Sequence, residues 1–158
     1  MKKLSLFFFV LLIGLGCSFS SHLYTYEFSN GWKNNEIVTF DFKSSENKSN
    51  YNLFLLLRHN NNYSFSNIFL ITELNLANGS ISSDTLQYTL SDPSGKWLGE
   101  KRLSIVEHKL LFKKNIDLLK DSVNYLSVRN SMRLNNVISP IENLENILDL
   151  SLLIEPSQ

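Results

Sequence analysis

The sequence predicts an all-β domain, an antiparallel β-sandwich of the jelly-roll type with about eight strands. Three observations favour this class. Short segments alternate between apolar and polar residues, as strands with one buried face do. Turn signals separate these segments at Asn30-Gly31, Asn78-Gly79 and Asp92-Pro93-Ser94-Gly95. The chain carries no strong, long amphipathic helical pattern, so we do not expect a helical layer.

The first element in the chain is a signal sequence. Lys2 and Lys3 give a positive start, and residues 4–15 are apolar, which suits a secretory signal and falls short of the roughly 20 residues that span a bilayer. Gly14-Leu15-Gly16 precedes Cys17, and a lipoprotein signal peptidase requires small residues before its cysteine. The alternative is an ordinary signal peptide followed by a chance cysteine. The pattern favours a cleaved lipoprotein signal peptide at residues 1–16.

Lipid on Cys17 would hold the protein on a membrane. A diacylglyceryl group and an N-terminal acyl chain exceed the two chains that stable anchoring needs. Cys17 is the one cysteine of the chain, so an internal disulfide is excluded. Residues 17–22 would form the lipidated cysteine and tether, and residues 23–158 a single β-sandwich domain. The formal net charge of +0 argues against a nucleic-acid partner.

The strand pattern recurs along the domain at residues 22–28, 36–43, 51–58, 68–76, 84–90, part of 102–112, 124–128 and 147–154. Val38, Phe40 and Phe42 alternate with polar residues, which predicts a half-buried strand. Residues 51–58 are apolar on both faces toward their end, which predicts a central strand. We expect loops at residues 44–50 and 60–66, and one helical turn at residues 140–145.

Several segments, by their order and spacing, resemble one protein family. They are Cys17, Asn30-Gly31-Trp32, Leu57-Arg58-His59-Asn60, Tyr63, Ser66-Asn67-Ile68-Phe69, Asp84-Thr85, Gly95-Lys96-Trp97-Leu98-Gly99, Ser131-Met132-Arg133 and Ser151-Leu152-Leu153-Ile154-Glu155. The sequence is similar to the gliding motility lipoprotein GldH family of the Bacteroidetes over most of the domain. Family members tend to have glycines near the last strand, where this chain has Asn146 and Ser151.

The resemblance implies a cell-envelope lipoprotein needed by the gliding machinery and its associated protein secretion, with no known catalysis. Its partners would be the membrane, through Cys17, and other envelope or gliding and secretion proteins. The family also occurs in bacteria that do not glide, so motility of the host does not follow. In this phylum, surface export is associated with acidic residues directly after the cysteine, and residues 18–22 contain none. We therefore expect a lipid-anchored protein at the periplasmic face of the outer membrane.

The residues that could carry chemistry do not form a recognisable constellation. His22, His59 and His108 are scattered and have no cysteine partner, so we expect no metal site. No nucleophile elbow or Ser/His/Asp signature is visible, so we expect no enzyme and no cofactor. A carboxylate pair would suit glycoside hydrolysis, but isolated acids on polar strand faces are usually just solvated. These acids are Asp41, Glu73 and Asp84.

The candidate binding residues lie around the loop that follows residues 51–58. Arg58, His59, Tyr63 and Asn67 cluster there, and loops on β scaffolds often carry binding residues. The alternative is turn chemistry, in which Arg58 pairs with a carboxylate and Tyr63 covers an edge of the core. Both interpretations remain open from the sequence.

The two tryptophans, Trp32 and Trp97, lie beside glycine turns and allow a second function. A solvent-exposed pair would stack against sugar rings, so a glycan-binding β-sandwich module of the envelope is the alternative function. A tryptophan packed across a turn would instead close one end of the sandwich.

Overall fold

The computed structural model describes residues 21–44 and 50–157, and every regular element among them is a β-strand, which confirms the all-β prediction. The strands are β1 (His22–Glu27), β2 (Trp32–Lys33), β3 (Val38–Phe42), β4 (Asn50–Asn60), β5 (Asn67–Asn75), β6 (Ile81–Thr89), β7 (Glu100–Arg102), β8 (Ile105–Asp117), β9 (Asn124–Asn130), β10 (Asn143–Leu144) and β11 (Ile147–Pro156). This part of the chain contains no helix capable of crossing a bilayer. The predicted signal peptide, Cys17 and most of the predicted loop 44–50 lie outside the described residues.

Nine of these strands form two antiparallel sheets that pack as a sandwich, and β2 and β10 pair with each other. A five-stranded sheet has the order β1-β11-β4-β8-β7 and a four-stranded sheet has the order β3-β9-β5-β6. If the strands of five residues or more are numbered in chain order, the first sheet holds the first, eighth, third and sixth of them. The other sheet holds the second, seventh, fourth and fifth. This is the strand order of a jelly roll, so the predicted class is confirmed.

The core lies between the sheets and is built from alternate residues of each strand. Leu53, Leu55 and Leu57 of β4 have no solvent exposure, and Val38 and Phe42 of β3 belong to the same cluster. Strand β4 pairs with β11 on one side and with β8 on the other, so its predicted central position is confirmed. Its outward face is half-buried apart from its first residue. The alternation of apolar and polar residues that is visible in the sequence therefore identifies which side chains form the core.

The two ends of the sandwich differ in their distance from the tether. Strand β1 begins at His22, five residues after Cys17, and the antiparallel pairing then fixes where every other long strand begins and ends. We call the end that holds the start of β1 the tether end. The opposite end, which we call the distal end, carries the connections at residues 28–31, 61–66, 90–99 and 131–142.

Two distal turns require a left-handed backbone. Gly31 has a φ of +73°, and a Cβ at this position would lie 2.6 Å from the carbonyl oxygen of Leu144. Asn146 has a φ of +68° close to the start of the last strand, where family members tend to have glycines. Asparagine tolerates this conformation, and its side chain exchanges hydrogen bonds of 2.9 and 3.2 Å with Asn60 and Asn62. The amide side chain of Asn146 therefore ties the start of β11 to the loop after β4.

The predicted helical turn at residues 140–145 is wrong. Asn143 and Leu144 form β10, which pairs antiparallel with Lys33 and Trp32 of β2. Strands of two or three residues are too short to display a period of two, so β2, β7 and β10 carry no local signal. Strand β8 continues to Asp117, five residues beyond the predicted 102–112, and the other long strands differ from the prediction by up to three residues at an end.

Candidate functional site

Four ring side chains pack together beneath the distal end, and we call them the aromatic cluster. His59 lies near the end of β4, Tyr63 in the following loop, Trp97 before β7, and His108 on β8. The ring centroid of His59 lies 4.5 Å from that of Trp97, 5.0 Å from that of Tyr63 and 5.1 Å from that of His108. Trp97 is half-buried and the other three are buried. His59 is therefore the centre of the cluster.

The two clustered histidines share a hydrogen bond that fixes their protonation. Their Nε2 atoms lie 3.0 Å apart, and Nδ1 of His59 lies 2.7 Å from the carbonyl oxygen of Asn60. Because a carbonyl only accepts, we assign the proton of His59 to Nδ1, so that its Nε2 accepts from Nε2–H of His108. Burial lowers the pKa of both imidazoles, and with a further contribution from His59 it lowers the pKa of His108 to about 4. Both rings are therefore neutral near pH 7.

The segment 95–99 holds Trp97 against this cluster. Asp92 Oδ1 accepts two backbone N–H groups of the turn, at 2.9 and 3.0 Å, and Gly95 completes the turn with a φ of +83°. Gly99 lies against β8, where an added Cβ would come within 2.4 Å of a backbone carbonyl oxygen. Gly95 therefore supplies the backbone conformation of the turn, and Gly99 permits close packing against β8.

Arg58 lies on the outer face of the five-stranded sheet and pairs with Asp149 on the neighbouring strand. Its Nε donates to both carboxylate oxygens at 2.8 Å, and Nη2 lies 2.7 Å from one of them. The Asp149 side chain is 4% exposed and that of Arg58 is 39% exposed. Hydrogen bonding to Asp149 raises the pKa of Arg58, partly offset by burial. Arg58 thus compensates a buried carboxylate while one side of its guanidinium stays open to solvent.

A pocket of about 270 Å³ opens beside Arg58 at the distal end, and we call it the distal pocket. Leu103, in the turn between β7 and β8, is 96% exposed and has a φ of +55°. The pocket combines apolar side chains with charges of both signs, a composition that suits a polypeptide ligand. Its walls are Arg58, Glu100, Arg102, Leu103, Ile105 and Glu107.

The other predicted residues occupy different places. Trp32 is fully buried and stacks on Phe28 with 5.0 Å between ring centroids, as part of the β2–β10 contact. Asn67 begins β5, where its carbonyl oxygen accepts the Tyr63 hydroxyl at 3.3 Å. The structure therefore brings three predicted binding residues into the aromatic cluster and leaves Arg58 in the wall of the distal pocket. Whether any of them binds a partner remains a prediction.

Sequence reasoning missed His108, Asp149 and the pocket lining between β7 and β8. The alternation of β8 puts His108 on the same inward face as Val106 and Leu110, so the pattern contained its burial. No local signal identifies Asp149, because its pairing depends on the register between β4 and β11. Two of the three omissions thus arise from contacts between distant strands.

The contacts that the structure shows within the aromatic cluster are ring packing and one hydrogen bond between its members. Across residues 21–44 and 50–157, no group of three or more His, Cys, Asp or Glu side chains is placed to hold a metal ion. The facing Nε2 atoms of His59 and His108 form a hydrogen bond with each other. The cluster therefore packs beneath the loops that hold Tyr63 and Trp97.

Comparison with known proteins identifies the family to which the chain belongs. A solved structure of an exo-β-1,3-galactanase from Phanerochaete chrysosporium aligns with 87% of this chain and 27% of its own, with 11% identity and a TM-score of 0.37, too low to support an argument. The gliding motility lipoprotein GldH homolog of Christiangramia forsetii is 33% identical over 152 residues, covering 96% of this chain and 94% of that protein. The gliding motility lipoprotein GldH of Flavobacterium johnsoniae is 35% identical over 125 residues, covering 78% and 77%. The family model for the GldH lipoprotein matches residues 22–154. The chain therefore belongs to the GldH lipoprotein family.

Proposed function

We propose that this protein is a non-enzymatic lipoprotein of the cell envelope that supports gliding motility and the associated secretion machinery through protein contacts. Lipid on Cys17 would hold it at the periplasmic face of the outer membrane. The names of the family and of both relatives support the lipoprotein and gliding parts of this proposal. The observation that carries the protein-contact part is the position of the distal pocket, at the end of the sandwich away from the tether.

The dimensions of the domain give that position its meaning. Five residues separate Cys17 from His22, so the tether reaches at most about 18 Å. Strand β4 has 11 residues and runs from the tether end to the distal end, a length of about 35 Å. A domain held this closely to a leaflet presents its distal end to proteins in the aqueous phase. The distal end, which holds the distal pocket, is therefore better placed than the tether end to contact a protein partner.

Rigidity supports a binding role for this end. The aromatic cluster packs beneath the loops at residues 61–66 and 90–99, and Leu98 in the second of these loops is 59% exposed, while Leu103 in the turn between β7 and β8 is 96% exposed. Large exposed apolar side chains on a fixed framework are typical of protein contact sites, because little conformational entropy is lost when they bind.

The substitution Leu103→Glu tests the protein contact. Leu103 is almost fully exposed, so the fold should be unaffected while an apolar contact would be lost. Envelope proteins that co-purify with the lipidated parent in mild detergent should be depleted at least tenfold. Ile81→Glu, at a residue 73% exposed on the tether-end terminus of β6, is the matched control and should retain them. Equal recovery with both variants, or a parent that purifies without partners, would contradict the proposal.

The lipid anchor has its own test. Cys17→Ser should abolish incorporation of a fatty-acid analogue and release the domain from the membrane fraction. Added protease should spare the domain in intact cells and digest it after the outer membrane is opened. Digestion in intact cells would place the domain on the cell surface instead.

The glycan-binding alternative has weaker support. Trp32 is fully buried, and Trp97 packs against His59 with its ring centroid 4.5 Å away, so neither offers a free face like that of an exposed pair. We expect tryptophan fluorescence to stay constant when soluble polysaccharides are added. A saturable change in emission would revive the alternative.

A further inference from the structure

Four apolar side chains form a row across the outer face of the five-stranded sheet, near the start of β1 and the middle of β8. Leu23, Leu153, Phe54 and Leu111 are direct cross-strand partners on β1, β11, β4 and β8. Leu23 is 56% exposed, Leu111 is 39% exposed, and the two between them are half-buried. We call these residues the apolar row. Single exposed apolar residues are ordinary, but four in register make a continuous strip about 14 Å wide.

The same sheet face becomes charged toward the distal end. Lys109 lies on the distal side of the row and reaches over it, with its ammonium 4.3 Å from the Phe54 ring centroid and 2.8 Å from the carboxylate of Glu155 on the tether side. Glu27 lies four residues beyond Leu23, about 13 Å along β1. At that level, four carboxylates and one guanidinium cross the sheet as a charged row: Glu27, Asp149, Arg58, Glu107 and Glu100.

We propose that the apolar row lies against the lipid leaflet that holds Cys17. This inference rests on the proposed lipid anchor. Leu23 is six residues from Cys17, so the chain keeps it within about 21 Å of the lipidated residue. The leaflet is thus an apolar phase that the tether holds permanently within reach of the row. The exposed members of the charged row, Glu27 and Glu100, must remain hydrated, so the strands rise from the leaflet and the distal pocket stays in water.

A second copy of the chain fits this surface less well. Stable protein interfaces use about 20–30 residues from each partner, whereas the row offers four side chains, two of them already half-buried. Contact with lipid needs no comparable area, because the acyl chains already hold the domain and the row only orients it. The length of the tether and the small size of the row therefore both favour the leaflet.

Fluorescence from a single labelled position tests this contact. Cys17 is the one cysteine of the chain, so Leu111→Cys in the lipidated protein offers a single free thiol for an environment-sensitive NBD label. Ser83→Cys, exposed on the outer face of the other sheet near the tether end, is the matched control. In vesicles of phosphatidylethanolamine and phosphatidylglycerol, we expect blue-shifted emission and quenching by doxyl lipid at position 111. We expect neither at position 83.

Flotation with the vesicles separates the contact from the anchor. If the protein floats but its label at position 111 reports an aqueous environment, the lipid anchor is supported and the proposed contact of the apolar row with the leaflet is wrong. A blue-shifted label that doxyl lipid does not quench indicates a second copy over the row, and it also overturns the contact. A protein that fails to float overturns the anchor and the contact together. Adding Leu23→Glu to the labelled variant should reduce quenching at least twofold without loss of flotation, and unchanged quenching would again overturn the contact.

Discussion

Acidification should destabilise this fold through the histidine pair of the aromatic cluster. Both rings must stay neutral, because His108 donates from Nε2 to His59 Nε2 while His59 donates from Nδ1 to the Asn60 carbonyl. A further proton on His59 would go to Nε2 and set two N–H groups against each other, whereas one on His108 would go to Nδ1 and leave a charged ring in a buried site. Burial lowers the pKa of His108 to about 4, whereas an unfolded chain returns it to its ordinary value of about 6.5.

The size and sign of the effect follow from these pKa values. Between about pH 6.5 and about pH 4 the unfolded state binds more protons, so the free energy of unfolding falls as the pH falls. The contribution of His108 is fully present above about pH 6.5. It loses about 2 kcal/mol between about pH 7.5 and about pH 5, and about 3 kcal/mol over the whole range. The lowered pKa of His59 acts in the same direction.

Urea unfolding in mild detergent, followed by tryptophan fluorescence, measures this loss. His108→Gln keeps an N–H donor for His59 but cannot titrate, so its unfolding free energy should fall by about 2 kcal/mol less than that of the parent over the same pH interval. Parallel pH profiles for the parent and His108→Gln would refute the reasoning.

Four substitutions test the contacts that hold the sandwich by the same unfolding assay. Leu55→Ala should cost about 2–5 kcal/mol, since Leu55 has no solvent exposure on the central strand; an unchanged midpoint would place it at the surface. Gly99→Ala should cost more than Gly79→Ala, because the added Cβ meets the β8 backbone at 2.4 Å in the first and nothing within 4 Å in the second. Arg58→Ala should cost about 3 kcal/mol by leaving the buried Asp149 carboxylate unpaired, and a cost near zero would show that water replaces the guanidinium.

The long strands could be predicted because each carries its own signal. In β3, apolar Val38, Phe40 and Phe42 alternate with polar residues, and the buried pattern of the strand follows that alternation. The turns at Asn30-Gly31 and Asn78-Gly79 were predicted from residues that tolerate a left-handed backbone, and both glycines adopt it. Local sequence thus determines these strands and turns without knowledge of their partners.

The candidate site could be predicted only in part, because its contacts join distant strands. His59 and Tyr63 are neighbours in sequence, so their proximity could be anticipated. The His59–His108 hydrogen bond depends on the register between β4 and β8, which no local pattern specifies. The same holds for β10, where the backbone of β2 offers a partner that the sequence around residues 140–145 does not reveal. Because of these non-local contacts, His59 and Tyr63, which the sequence offered as binding residues, are buried in the aromatic cluster.

Photo-cross-linking in intact cells tests most directly whether the distal end contacts other envelope proteins. A photoreactive phenylalanine analogue would replace Leu103 in the distal pocket or Ile81 near the tether end, both of which are highly exposed. We predict discrete protein adducts from position 103, none from position 81, and loss of the adducts when Cys17→Ser removes the anchor. Adducts of equal yield from both positions, or none from position 103, would contradict it.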